Sequence, residues 1–146
     1  MAQADPARLA AWHELDRAHA IVRRRVEAAL QAERGLPLAW FEVLAALAAH
    51  RGRLRAGDLA EACMVRASTL TRQLDRLEAE GLVRRQRNTD DDLRAVLVVL
   101  TPEGRATLRR ATTTHSRVIG KALGNHLSDA DVAALARITA KVFEAD

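Results

Sequence analysis

The chain has a single cysteine, Cys63, no tyrosine, and aromatic residues at only 3% of 146 positions. One cysteine excludes an intramolecular disulfide. So few aromatics exclude the stacking platform on which proteins lay out single-stranded nucleic acid. No apolar run approaches the roughly 20 residues needed to cross a bilayer. The N-terminal stretch MAQADPARLA has no basic start followed by an apolar segment, so a cytoplasmic, soluble protein without membrane association is expected. No phosphate-cradling glycine loop, nucleophile–base pair or metal-binding cluster is recognisable, so no enzyme is expected and no cofactor is implied. The five histidines lack an i,i+4 pair, and His13 and His19 fall about 240° apart on a helical wheel, which speaks against a metal site. Lysine is nearly missing too: Lys121 and Lys141 are the only two among 23 basic residues. The arginines that remain hold phosphates and base edges by forked hydrogen bonds. A GC-rich genome would produce the same bias, so placement matters more than number.

What is present is a chain that folds. Apolar residues make up 49%, enough for a packed core of one or two small lobes. Leu9, Trp12, Leu15, His19, Val22, Val26 and Leu30 recur at helical spacing, and Gly35 and Pro37 end that run. The same reasoning predicts a helix over 38–50 with Phe41, Leu44, Leu47 and Ala48 on one face, a very short strand at Arg53-Leu54-Arg55, and a short helix over 58–63 burying Leu59 and Cys63.

The most telling pattern lies between Asp58 and Leu100. A helix is predicted over 66–80, where Leu70, Leu74 and Leu77 lie within about 60° of each other and Ser68 and Arg72 lie nearly opposite. Gly81 supplies a left-handed exit. A strand Val83–Arg87, a polar loop Asn88–Leu93 and a β-branched strand Arg94–Leu100 follow. Thr101-Pro102-Glu103 reads as a capped start of a helix reaching about Leu123, and Ser128 to Asp131 as the capped start of a last helix over 129–144 whose apolar face is Val132, Leu135, Ile138 or Thr139, and Val142. Two short helices followed by a two-stranded hairpin read as a helix-turn-helix with a β-wing.

The string as a whole resembles the MarR family of bacterial transcription regulators. The resemblance covers about residues 36–144. Asp58-Leu59-Ala60-Glu61 is similar to the first helix of the motif. Ser68-Thr69-Leu70-Thr71-Arg72, Asp75-Arg76-Leu77-Glu78 and Gly81-Leu82-Val83 are similar to the recognition helix and its exit. Asp92, Arg94-Ala95-Val96-Leu97-Val98 and Leu100-Thr101-Pro102-Glu103-Gly104 are similar to the wing and the next helix start. Three positions depart from the pattern: Met64 where the turn commonly has glycine, Arg66 where a hydroxyl cap is usual, and Leu93 in place of a second wing arginine.

The expected fold is therefore mainly α with a small β-wing: a winged helix-turn-helix DNA-binding lobe at 36–101 and a helical dimerisation region made of 7–34 and 102–146. The resemblance implies a homodimeric, sequence-specific regulator of transcription on double-stranded DNA, with a pseudo-palindromic operator, acting as a repressor relieved by a small aromatic ligand. A winged-helix protein-interaction module without a DNA role is the alternative. Arg72, central on the polar face, is the first candidate for a base edge, and Ser68, Thr69 and Thr71 for phosphates or bases. Arg76, one turn on, is expected at the backbone. By resemblance Arg94 enters the minor groove, oriented by Asp92. Asp90 and Asp91 would repel phosphate and are expected to point away. Arg84, Arg85 and Arg87 are expected to hold phosphates or to keep the strand edge from pairing. Trp12 and Trp40 are the candidates for stacking on a ligand. Cys63 falls on a buried side, which favours a small core residue over a redox switch.

Overall fold

The computed structural model describes residues 3–87 and 95–144. It contains six α-helices and three strands among those residues: α1 (Pro6–Arg34), α2 (Leu38–Ala49), β1 (Arg53–Arg55), α3 (Ala56–Ala62), α4 (Ala67–Ala79), β2 (Val83–Arg87), β3 (Val96–Leu100), α5 (Pro102–Ile119) and α6 (Asp129–Phe143). The fold is mainly helical with a small antiparallel sheet, as expected. It divides into two compact units: Glu27–Thr114, and the chain up to Val26 together with the chain from His115. Residues 27–34 and 102–114 thus pack with the winged unit, so this division differs from the 36–101 lobe read from the sequence.

In the Glu27–Thr114 unit the sheet order is β1-β3-β2, with β3 antiparallel to both neighbours. The core is aliphatic. Leu30, Val43, Leu44, Leu47, Leu59, Leu70, Leu74, Leu77, Val83 and Val98 are all buried. Each such side chain stabilises the fold by about 1.5–3 kcal/mol. The leucine stripe of α4 faces this core, so the opposite side of the helix is left to solvent. One buried polar residue sits among these apolar groups: the Thr114 hydroxyl donates to Glu33 at 2.9 Å and accepts from Arg34 Nε at 3.1 Å, tying the end of α1 to α5.

Helix ends explain how the motif turns. After α4, Gly81 takes φ +73°, and Leu82 and Gly81 donate back to the Leu77 and Glu78 carbonyls at 2.9 Å each. That is the left-handed exit its sequence announces. Met64 plays the same part after α3, with φ +56° and bonds from Val65 and Met64 to the Ala60 and Glu61 carbonyls, both 3.0 Å. A residue with a Cβ accepts this conformation at a cost of about 1 kcal/mol, and its side chain is 91% exposed. Met64→Asn, which tolerates the left-handed region, should therefore raise stability by about 0.5–1 kcal/mol. Urea unfolding checks this, and an unchanged or lower midpoint refutes it.

In the other unit, α5 does not continue regularly to Leu123: it gives way at Gly120–Gly124 to a π-helical turn. The α6 start is a complete capping box. Ser128 Oγ accepts from Asp131 N at 3.2 Å and its own N–H donates to the Asp131 carboxylate at 2.9 Å. The side-chain hydroxyl and backbone N–H of Ser128 hold the Asp131 carboxyl below the usual carboxylate range. Leu9, Trp12 and Leu15 of α1, and Val132, Leu135, Ile138, Val142 and Phe143 of α6, stay exposed. No described helix is long and apolar enough to cross a membrane.

Candidate nucleic-acid interface

The polar side of α4 is where the sequence-predicted residues converge. Ser68, Thr71, Arg72 and Arg76 are exposed and Thr69 is half-buried. Arg72 and Arg76 make no ion pair among the described residues. The obvious partner for Arg72, Asp75, is engaged elsewhere: its carboxylate takes the Arg85 guanidinium at 2.7 Å. Arg85 also donates from Nε and from its backbone N–H to Glu78 Oε2, at 3.1 and 2.9 Å. This corrects the expectation for Arg85. Its guanidinium is engaged by two carboxylates of α4 rather than presented outward, and it locks β2 onto that helix. Asp75, Glu78 and their hydrogen bonds hold its guanidinium protonated even more firmly than usual. Arg84 and Arg87 remain exposed on β2. The result is a helix whose own carboxylates, Asp75 and Glu78, are engaged by Arg85 and not by its outward arginines.

Thr71 is less free than its sequence position suggests. Its hydroxyl donates back to the Ala67 carbonyl at 2.9 Å. While that bond lasts, Thr71 can only accept. Arg66 stands at the N-cap of α4 without a side-chain cap, so the first-turn N–H groups of the helix have no capping hydroxyl. Such N–H groups suit a phosphate oxygen.

Trp40 of α2 is placed against this same face. Together with Thr69, Arg72, Gln73 and Arg76 it lines a cavity of about 230 Å³. The sequence reading assigned Trp40 to a ligand and passed over Gln73. The spacing 69, 72, 73, 76 is a helical i, i+3, i+4, i+7 set, and that signal could have found it. Trp12 lies in the other unit, on the exposed apolar side of α1. Asp90, Asp91, Asp92, Leu93 and Arg94 lie outside the described residues. Cys63 is half-buried, and burial first, then the Glu42 carboxylate, pushes its thiol above the ordinary value. A thiol so shifted stays protonated at neutral pH, which disfavours a redox role. No cluster of metal-ligating side chains occurs among the described residues.

A second cavity of the winged unit, about 510 Å³, is lined by Ala48, Arg105, Leu108, Arg109 and Thr112. Its lining combines the apolar Ala48 and Leu108 with two arginines and a threonine.

Comparison with known proteins agrees with this geometry. The model of the MarR family matches residues 34–92. The crystal structure of AbsC, a MarR family transcriptional regulator from Streptomyces coelicolor, is 28% identical, with TM-score 0.85 over 99% of this chain and 97% of that one. Sco3205, a MarR family transcriptional regulator from the same organism solved in complex with DNA, is 27% identical, with TM-score 0.86 over 99% of this chain and 91% of that one. BpsR from Bordetella bronchiseptica, whose DNA binding is regulated by 6-hydroxynicotinic acid, is 26% identical, with TM-score 0.79 over 90% and 97%. No curated protein sequence matches the chain.

Proposed function

We propose that this chain, whose residues 34–92 match the model of the MarR family, is a homodimeric regulator of transcription that binds a pseudo-palindromic operator in double-stranded DNA and represses until a small aromatic ligand releases it. The observation that carries DNA binding is the outward face of α4. Arg72 and Arg76 stand there without ion pairs among the described residues, flanked by Ser68, Thr69 and Thr71, while Leu70, Leu74 and Leu77 fix the helix from behind. Arg72 offers a forked donor to guanine O6 and N7. Arg76, the hydroxyls and the open N-terminus of α4 take phosphates, which set register and supply salt-dependent affinity. Arg94, oriented by Asp92, is proposed for the minor groove.

The ligand is proposed as an anionic aromatic. A cavity of about 510 Å³ that joins Ala48 and Leu108 to Arg105 and Arg109 has the size and chemistry such a molecule needs. Trp12 and Trp40, the aromatic candidates for stacking, do not line this cavity, so a ligand they hold would sit elsewhere. A ligand relieves repression only by binding better to the form that does not fit the operator.

An electrophoretic shift on duplex DNA over a salt series tests the central reading. Wild type should bind, with affinity falling linearly in log–log against salt. Arg72→Ala should weaken specific binding about 10- to 100-fold, the worth of one forked base contact. No shift at low salt, together with an indifferent Arg72→Ala, would instead favour a module that binds protein.

A further inference from the structure

Gln73 carries a buried side-chain carbonyl oxygen that receives no hydrogen bond from the described residues, and it is the only buried side-chain polar atom so placed among them. An unsatisfied buried acceptor costs free energy that a folded chain ordinarily avoids. Its surroundings are specific. Gln73 shares one face of α4 with Thr69, Arg72 and Arg76, and the four side chains with Trp40 line the small cavity described above. The two guanidinium groups bring donors only. The Thr69 hydroxyl donates or accepts. Gln73 brings the one amide, with an idle acceptor and a donor pair side by side.

A partner that satisfies this set must present acceptors to the arginines and, beside them, one acceptor next to one donor for Gln73. A simple carboxylate or phosphate meets the first demand and leaves the Gln73 oxygen idle. The major-groove edge of a duplex meets both. Guanine shows O6 and N7 to an arginine, and adenine shows N7 and its N6 amino group to a glutamine amide. The terminal torsion of a glutamine is soft, so the amide turns outward at little cost. Leaving its unpaired position then favours the bound state.

We propose that Gln73 is a specificity-determining residue that reads an adenine next to the base contacted by Arg72. This rests on the reading of α4 as a DNA-recognition helix. Gln73→Met is the informative change, because it keeps the length and shape of the side chain and removes only the amide. The test is selection from random duplexes, followed by competition binding on the selected site with each base pair exchanged in turn. Wild type should prefer A·T over the other pairs by about 10-fold at one position of each half-site. Gln73→Met should lose that preference alone, keep its salt dependence, and melt no lower than wild type because a buried orphan acceptor is gone. An unchanged preference in Gln73→Met overturns the proposal and leaves DNA binding intact. A wild type that selects no duplex overturns both. Should Gln73→Met prove poorly folded, Gln73→Glu serves: it removes the donor pair, and an A·T preference that survives it refutes the assignment.

Discussion

Gly104→Ala should cost the protein about 3 kcal/mol or more, although alanine is the better helix former by about 1 kcal/mol. Gly104 is buried in the first turn of α5. A Cβ there would fall inside the van der Waals radius of the Leu82 carbonyl oxygen, 2.9 Å from its carbon and 2.8 Å from Leu100 Cδ1. The obstacle is backbone, which cannot swing aside. Leu82 is fixed by its bond to the Leu77 carbonyl at 2.9 Å, and its own carbonyl accepts from Thr101 N–H at 3.2 Å. The Thr101 hydroxyl closes the knot: it accepts from Gly104 N–H at 3.0 Å and donates to the Gly81 carbonyl at 2.6 Å. The exit of the recognition helix and the entry of α5 are thus joined at one point, and a methyl group must force them apart. Against a total stability of about 5–15 kcal/mol the loss is large, and the melting temperature should fall by about 10 °C. Gly57→Ala is the control. Gly57 lies in α3, and nothing comes within 4 Å of an added Cβ; that change should stabilise by about 0.5–1 kcal/mol. If Gly104→Ala melts with wild type, the close approach is not a constraint.

Gly104 also shows what can and cannot be read from a sequence. Thr101-Pro102 announces a helix start, since capping chemistry is local. For the same reason the Ser128–Asp131 box, the Gly81 exit and the leucine stripe of α4 were legible, and with them most element positions. Contacts that join elements were not. Arg85 meets Asp75 and Glu78 across a helix–strand junction, where no periodic signal runs. Met64 adopts a glycine-like conformation because the turn between α3 and α4 demands it, against local preference. Trp40 faces α4 because α2 packs on the core beside it. The exposure of Ser68, Thr71, Arg72 and Arg76 was legible from their side of the helix. Gln73 was missed because it lies at the edge of that side, next to the leucines, where an amide reads as ordinary boundary polarity.

The double change Leu135→Asp, Ile138→Asp should turn a dimer into a monomer and lower operator affinity by about 10²- to 10⁴-fold. Among the described residues, all the large exposed hydrophobics but Met64 lie on α1 or α6. The groove between those helices within their own unit, about 590 Å³, is lined by Leu15, Val22, Leu123, Leu127, Leu135 and Ile138. Apolar side chains concentrated in this way gain free energy only when water is excluded from them. A second copy is the proposed occupant, since a two-fold contact offers each chain the same surface the other leaves open. The consequence for DNA is geometric. Two recognition helices held about 34 Å apart engage successive turns of one duplex face, and the second engagement is then intramolecular. Aspartates at 135 and 138 bury charge in that contact and repel their own counterparts across the axis. Analytical ultracentrifugation should give twice the 16.0 kDa chain mass for wild type and the chain mass itself for the variant. The variant should retain its helical circular dichroism and weak, salt-sensitive binding to a single half-site. A wild type that sediments as a monomer, or a variant that holds the full operator as tightly as wild type, would show that α1 and α6 serve some purpose other than pairing two reading heads.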